Sequence, residues 1–504
     1  MRSVLTFLSL LFASTMIAQH NFSCGMNKDG VKLLEERLLH YKIQLKTNQV
    51  ESRSEISFIP IVFHLIANDK GLGRVAESNL LDQLCQLNED FASQRIQFYI
   101  KNLNYIDDGE LHERHNDDRD RLRQQRDNSA LNIFIVKDAN NENPIDNGIT
   151  LGYYDPQRDW LVMRKDEING RSIVLTHEVG HFLGLLHPYN GWDFEPWEEA
   201  IHGNPAPSRS PNGVATELMD GSNCERSGDF LCDTPPDYHF SFGSSDCDYS
   251  GNALDPVGVK VEPQELNYMA NFTNGCVRND YFFSPQQSEI MKMNLQDPAR
   301  NYLRNSFIPT DASFPKAPTL ETPSNESTVA TFNLVSFEWS EIEGATQYLF
   351  EIDRVSSFNV QPTRRITDEP FLELSNLDAK RRYYWRVRPF NSYETCTEFS
   401  TVDSFRTGER LDTTQLEQIE AFKIFPNPVQ AQNTLTLELK TQRNFTANVS
   451  VYDIVGRLVL QLETSISPNE ERVDLDIKNL SKGVYTIAVV TEEQEVVERF
   501  IVGD

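Results

Sequence analysis

The chain has 504 residues, and at roughly 150 residues per domain that length implies three or four domains rather than one. With 47 Lys and Arg against 75 Asp and Glu, the formal net charge is −28, which argues against nucleic acid or an anionic lipid surface as the main partner. A hydrophobic share of 39% is enough for ordinary cores and excludes wholesale disorder; the acidic balance suits calcium, since hard cations take oxygen ligands. At the N-terminus, Arg2 precedes an apolar run from Val4 to Ala18 and then polar Gln19, His20 and Asn21. This reads as a secretory signal peptide over 1–18, because the run is shorter than the ~20 residues a membrane anchor needs. No later stretch is long and apolar enough to span a bilayer, so no transmembrane anchor is expected.

A leader over 19–53 follows, with leucines at helical spacing between Lys32 and Leu45 and Arg53 as a candidate cleavage point. Ile56–Ile66 reads as a strand, Leu80–Phe91 as an amphipathic helix, and Ile96–Leu103, Ala130–Asp138 and Asp159–Lys165 as further strands. Strands alternating with helices predict an α/β domain over 54–307. From Pro188 to Lys260 the periodicity is lost to Pro, Gly, Asn and Asp, which predicts long loops. Cys224, Cys232, Cys247 and Cys276 cluster here; in an exported chain they predict two disulfides, of three possible connectivities. A four-cysteine zinc site is the competing reading, but paired C-x2-4-C knuckles are missing. A linker, Ile308–Pro323, leads to short strands with turn residues between them, an all-β sandwich over 316–408 in which Cys396 reads as a lone thiol. A second strand-rich unit fills 421–504.

The chemistry concentrates in IVLTHEVGHFLGLLH, Ile173–His187. Residues four apart share a helix face, so His177 and His181 can present two imidazoles to one zinc ion, while Glu178 can reach a water on that ion. Continuing the helix to His187 would turn it ~600° and carry it ~9 Å along the axis. The chain must therefore turn, and Gly184 can take the positive φ that the turn requires. Three imidazoles with one open position describe a catalytic zinc, with Glu178 as general base.

This extended motif is the metzincin signature. Together with IPIVFHLI, QLNEDF, GDFLCDTPPD (Gly228–Asp237), NYM with Cys276, and FSPQQ, the region Ile56–Asn301 resembles the pappalysin family, including its cytophagalysin-like bacterial members. The resemblance implies a twisted mixed sheet plus a zinc helix, Met269 as the methionine of a turn beneath the metal, and a calcium-supported loop at Asp229, Asp233 and Thr234. It also implies a latency switch in which Cys24 occupies zinc's open position; a disulfide between Cys24 and Cys85 is the alternative. The family commonly places a tyrosine two residues after that methionine. Here Asn271 stands there, and either it or Tyr268 is left as a hydrogen-bond donor. His64 is read as a satisfied residue without a role. Gly148–Tyr153 is the candidate edge strand for an extended substrate.

The 316–408 unit resembles a fibronectin type III domain, with Trp339 in its core and Leu377–Tyr383 placed like a tyrosine corner. The last unit, with its PNP phrase, D-x-x-G turn and G-V-Y strand, resembles the C-terminal sorting domain of the type IX secretion system of Bacteroidota; an extra adhesive β-domain is the alternative. The fold class expected is thus a multidomain chain: an α/β metzincin-type domain followed by two all-β sandwiches. The expected function is a secreted or surface-attached zinc endopeptidase acting on protein or peptide substrates and exported by the type IX machinery. The rival is a surface adhesin with a vestigial metal site. The acidity is local: Pro188–Lys260 holds 13 acidic against 3 basic residues, a net of −10, which points to cation binding in the loops and to basic substrate residues.

Overall fold

A computed structural model describes residues 22–47, 56–140, 149–240, 247–273, 275–305, 307, 309, 316–360, 362–375, 377–410, 419–430, 434–441, 445–466, 469–491 and 495–503. The signal-peptide segment, Arg53 and Gly148 lie outside them. The chain divides into two units, Met1–Ser313 with Phe390–Thr397, and Phe314–Pro389 with Glu398–Asp504.

The first unit is mixed α/β. In chain order it contains β1 (Phe22–Cys24), α1 (Lys28–Thr47), β2 (Ser57–Ala67), α2 (Glu77–Asp90), β3 (Ile96–Asp107), α3 (Gly109–Arg114), α4 (Arg119–Gln125), β4 (Leu131–Val136), β5 (Ile149–Asp155), β6 (Trp160–Arg164), α5 (Val174–Phe182), α6 (Glu199–His202) and α7 (Pro285–Gln296). Its six strands order β1-β5-β6-β4-β2-β3. Strands β3, β2, β4 and β6 run parallel, and β2 is buried along nearly its whole length, as a strand covered on both faces must be. β5 turns back antiparallel to β6, and β1 adds parallel to its outer edge.

The predicted leader helix is α1. Val31, Leu34, Leu38 and Tyr41 recur at helical spacing and are all buried, each contributing roughly 1.5–3 kcal/mol, on a face that packs against α7. α7 begins with a capping box: Ser284 accepts from Gln287 N, and the Gln287 side chain accepts from Ser284 N. His64 is buried and satisfied, with Nε2 3.0 Å from Asn132 Oδ1 and Nδ1 3.0 Å from Asn104 Nδ2.

The loop cysteines pair as Cys224–Cys232 and Cys247–Cys276. Cys396, read from sequence as a lone thiol, is instead bonded to Cys85, which also removes the expected alternative of a Cys24–Cys85 bridge and leaves Cys24 free. The two partners stand 311 residues apart, a separation at which sequence carries no pairing signal. The bridge lies within the first unit, because Phe390–Thr397 belongs there; Ile100 N also donates to Ser392 O at 2.6 Å.

The second unit is all-β. Strands β7 (Leu320–Thr322), β8 (Leu334–Trp339) and β11 (Phe371–Ser375) form one sheet, ordered β11-β8-β7, and β9 (Gln347–Asp353), β10 (Thr363–Thr367), β12 (Arg382–Phe390) and β13 (Asp403–Arg406) form another, ordered β10-β9-β12-β13. Alternate residues Val335, Phe337 and Trp339 meet Tyr383, Trp385 and Val387 in the core. Tyr383 Oη accepts from Asp378 N at 2.9 Å, the tyrosine-corner bond expected from sequence. Beyond these, β14 (Ile419–Phe425), β16 (Thr434–Thr441) and β19 (Asn469–Asp476) make a three-stranded sheet. β15 (Val429–Gln430), β17 (Phe445–Asp453), β18 (Leu458–Ile466), β20 (Gly483–Val490) and β21 (Glu495–Gly503) make a five-stranded one. Among the described residues no helix is long and apolar enough to cross a membrane.

Candidate metal centre

α5 carries His177 and His181 on one face, as the four-residue spacing requires. The helix ends at Phe182, and Gly184 at φ +96° turns the chain so that His187 returns to that face. The three Nε2 atoms form a triangle with sides of 3.0, 3.1 and 3.1 Å. An ion ~2.0–2.1 Å from each nitrogen holds tetrahedral ligands about 3.3 Å apart, so the triangle fits zinc with little adjustment. Each imidazole is held through its other nitrogen: His177 Nδ1 lies 2.8 Å from Tyr268 O, His181 Nδ1 2.8 Å from Leu185 O, and His187 Nδ1 2.7 Å from Asp193 Oδ1. Those acceptors need an N–H, which assigns the proton to Nδ1 and leaves every Nε2 lone pair for a metal. Burial pushes His177 down to about 4 and the other two imidazoles well below their usual value, so all three are neutral at physiological pH.

Glu178 stands outside the triangle. Its Oε2 accepts from Tyr154 N, on β5, at 2.9 Å. Burial pushes the carboxyl up to about 8, while hydrogen bonds from Cys24 and Tyr154 N oppose the rise. A divalent cation among the imidazoles acts in the same direction as those bonds, favouring the carboxylate. Cys24 Sγ lies 3.6 Å from His181 Nε2 and 3.8 Å from Glu178 Oε2. Its sulfur and the three nitrogens all fall within 4.8 Å of one another. Among the described residues the other such group is Cys85, Glu89 and Cys396, whose sulfurs are already bonded.

Met269 is fully buried, and a Cβ added to Gly180 would come 2.5 Å from its sulfur, so the methionine packs directly against α5 between its two histidines. Tyr268 contributes its carbonyl to His177, but its hydroxyl donates to Asp90 Oδ1 at 2.9 Å and accepts from Arg278 at 3.2 Å. Asp90 also accepts from Thr176 on α5, so the end of α2 braces both the helix and the methionine turn. Leu151, Ile173 and Val174 form apolar walls of a cavity into which His177, Glu178 and Asn271 open. Of these groups Asp90, although within the QLNEDF segment, Tyr154 and Asp193 were given no role from sequence, because each acts on a residue brought close only by folding.

The carboxylates expected to hold calcium also accept hydrogen bonds within the chain. Asp233 accepts from Ser284 Oγ at 2.8 Å and Gln286 N at 2.7 Å, reinforcing the cap of α7. Asp229 accepts from Leu231 N at 3.0 Å and from Thr234 Oγ1 at 2.8 Å. Glu217, missed from sequence, is buried near Asp229 with no partner for Oε2 among the described residues, and Lys42 on α1 donates to Phe230 O in the same loop.

Residues 423–503 match the family described as a secretion system C-terminal sorting domain. That domain directs type IX export, to the cell surface or beyond it. The chain is also similar to an extracellular metalloprotease of Colletotrichum graminicola, 25% identical over 302 residues that make up 52% of this chain and 88% of the relative. Extracellular metalloprotease 1 of Coccidioides posadasii is 24% identical over 244 residues, 42% of this chain and 71% of that protein. Among solved structures, the fibronectin type III domain of human fibronectin type III domain containing protein 3 is 20% identical, covering 21% of this chain and 94% of that one at a TM-score of 0.16. At that score the two-sheet description of residues 320–406 rests on its own strand order.

Proposed function

We propose that the chain is an exported zinc endopeptidase of the metzincin, pappalysin-like type, kept latent by its leader. The observation that carries this reading is the convergence of three buried, neutral imidazoles beside a carboxylate that belongs to none of them. Distant relatives named extracellular metalloproteases, 25% and 24% identical, support it. Zinc held by His177, His181 and His187 would supply an acidified water and polarisation of the substrate carbonyl. Glu178, fixed by Tyr154 N, takes the proton as the water oxygen bonds to the carbonyl carbon, and returns it to the amine as the C–N bond breaks. Asp193 and the carbonyls of Tyr268 and Leu185 keep the imidazoles aimed. Met269 supports the helix from below.

In the leader-bound chain Cys24 completes a three-nitrogen, one-sulfur set, which is a closed zinc site. For the matured chain, the expected result is one zinc per molecule and cleavage of casein or gelatin that stops on chelation and returns with zinc. Activity that survives complete metal removal defeats the reading.

Calcium belongs, on this reading, to the loop of Asp229, Asp233 and Thr234, with Glu217 buried beside Asp229. Burial raises the pKa of Glu217 and Asp229, a bound cation would oppose that rise, and Lys42 brings one ammonium to the loop while α1 is docked. Calcium added to zinc-restored, leader-free protein at ~100 times its Kd should stabilise by about 2.7 kcal/mol and raise Tm by ~5–11 °C. The leader-bound chain should show little shift. An unchanged Tm in the leader-free chain rules calcium out.

A further inference from the structure

Arg300, just past α7, is buried, and its guanidinium joins the two elements on which the site is built. Nη2 donates at 2.5 Å to Phe182 O, the carbonyl of the last residue of α5, one position after His181. Nη1 donates to Asp159 Oδ1 at 2.5 Å and to Tyr302 Oη at 3.0 Å. Asp159, just before β6, accepts in turn from Tyr154 Oη at 2.7 Å. Nε donates to Asn294 Oδ1 at 3.0 Å, and Asn294 lies against the turn that returns His187: a Cβ added to Gly184 would come 3.1 Å from its Nδ2.

Burial alone would lift the Asp159 carboxyl, but Arg300 and the two tyrosine hydroxyls hold it below its usual range, so the pair is ionised. A buried ion pair adds little net stability over packed apolar side chains. What it adds here is direction, since a planar guanidinium with fixed N–H bonds accepts few other placements. Tyr154 carries that direction to the chemistry. Its ring stands edge-on to Phe182, its hydroxyl is bound into the Arg300–Asp159 pair, and its backbone N donates to Glu178 at 2.9 Å. In the leader-bound chain Arg37 adds a second guanidinium on the same hydroxyl at 3.3 Å; Arg300 is the one that stays after maturation. We infer that Arg300 is a positioning residue, which through Phe182 O, Asn294 and the Asp159–Tyr154 pair holds the histidine helix and the Glu178 clamp in one register. Its kinetic consequence rests on the protease reading.

The test uses the matured full chain with two substitutions. Arg300→Lys keeps the charge but loses the fork that reaches Phe182 O and Asp159 together, and Tyr154→Phe removes one hydroxyl while leaving the ion pair. With zinc bound, and well below each variant's Tm, Arg300→Lys should lower kcat by about 10–100-fold with KM within about threefold. Tyr154→Phe should lower kcat by the smaller factor of ~3–10. With cobalt in place of zinc, at one ion per molecule, Arg300→Lys should shift the visible absorption bands, whereas Tyr154→Phe, which acts on Glu178 alone, should leave them in place. A merely structural role lowers Tm and nothing else. Either kcat within about threefold of wild type in both variants, or unshifted cobalt bands in Arg300→Lys, overturns the inference alone. If Arg300→Lys does not fold, an unchanged kcat in Tyr154→Phe overturns it. A matured wild type that binds cobalt but cleaves nothing overturns the protease reading, and the bands then decide the inference by themselves.

Discussion

Glu178→Ala in the matured chain should lower cleavage of casein by ~10²–10⁴-fold while one zinc stays bound. The separation follows from the geometry: the three Nε2 atoms converge without the carboxylate, whose Oε2 is engaged by Tyr154 N at 2.9 Å. In the proposed reaction, losing Glu178 would remove the proton acceptor and leave the imidazoles with all of their own supports. Glu178→Gln is the sharper variant, because it keeps the shape and can still accept from Tyr154 N. Equal rates in wild type and both variants would mean that another group moves the proton. Zinc lost along with Glu178 would mean that the carboxylate holds the ion rather than the water.

Cys24→Ala in the leader-bound chain should give measurable proteolysis without processing, at least ~10-fold above the wild-type zymogen, since ~1.4 kcal/mol of lost ligation suffices for that factor. Full activity is not expected. The leader also pairs β1 with β5, matching Phe22 to Ile149 and Cys24 to Gly152, and Gly25 N donates to Gly152 O at 3.1 Å. That is the edge read from sequence as the place for a substrate. The buried Val31, Leu34, Leu38 and Tyr41 keep α1 docked after the thiol is gone. If the proposed latency holds, it would have two parts, a sulfur at the metal and a strand on the edge. A Cys24→Ala chain as silent as wild type would assign latency to the strand alone.

Much of this was legible in the chain itself, where one local periodicity decides the matter. The i, i+4 histidines and the Gly184 turn follow from helix geometry, and β2, β3, β4 and β6 from runs of β-branched and aromatic residues. The supports of the site were not legible. Asp193 lies in an aperiodic loop, Tyr154 acts through a backbone N–H that any residue could supply, and Asp90 reaches Thr176 and Tyr268 across 86 and 178 positions. Asp233 was read from sequence only through the resemblance, as part of a calcium loop; its bonds to the cap of α7, 51 positions further on, were not legible because that helix was not read from its residues.

The Cys85–Cys396 bond changes what a cut in the backbone accomplishes. A protease acting between 308 and 315 severs the chain, yet the fragments before and after the cut stay covalently joined, because residue 396 lies on the far side and is tied to residue 85. A cut between 411 and 418 lies beyond both cysteines, so it detaches the sorting domain cleanly. A cut at the first position therefore leaves one covalent piece, whereas a cut at the second would separate everything up to it from the sorting domain.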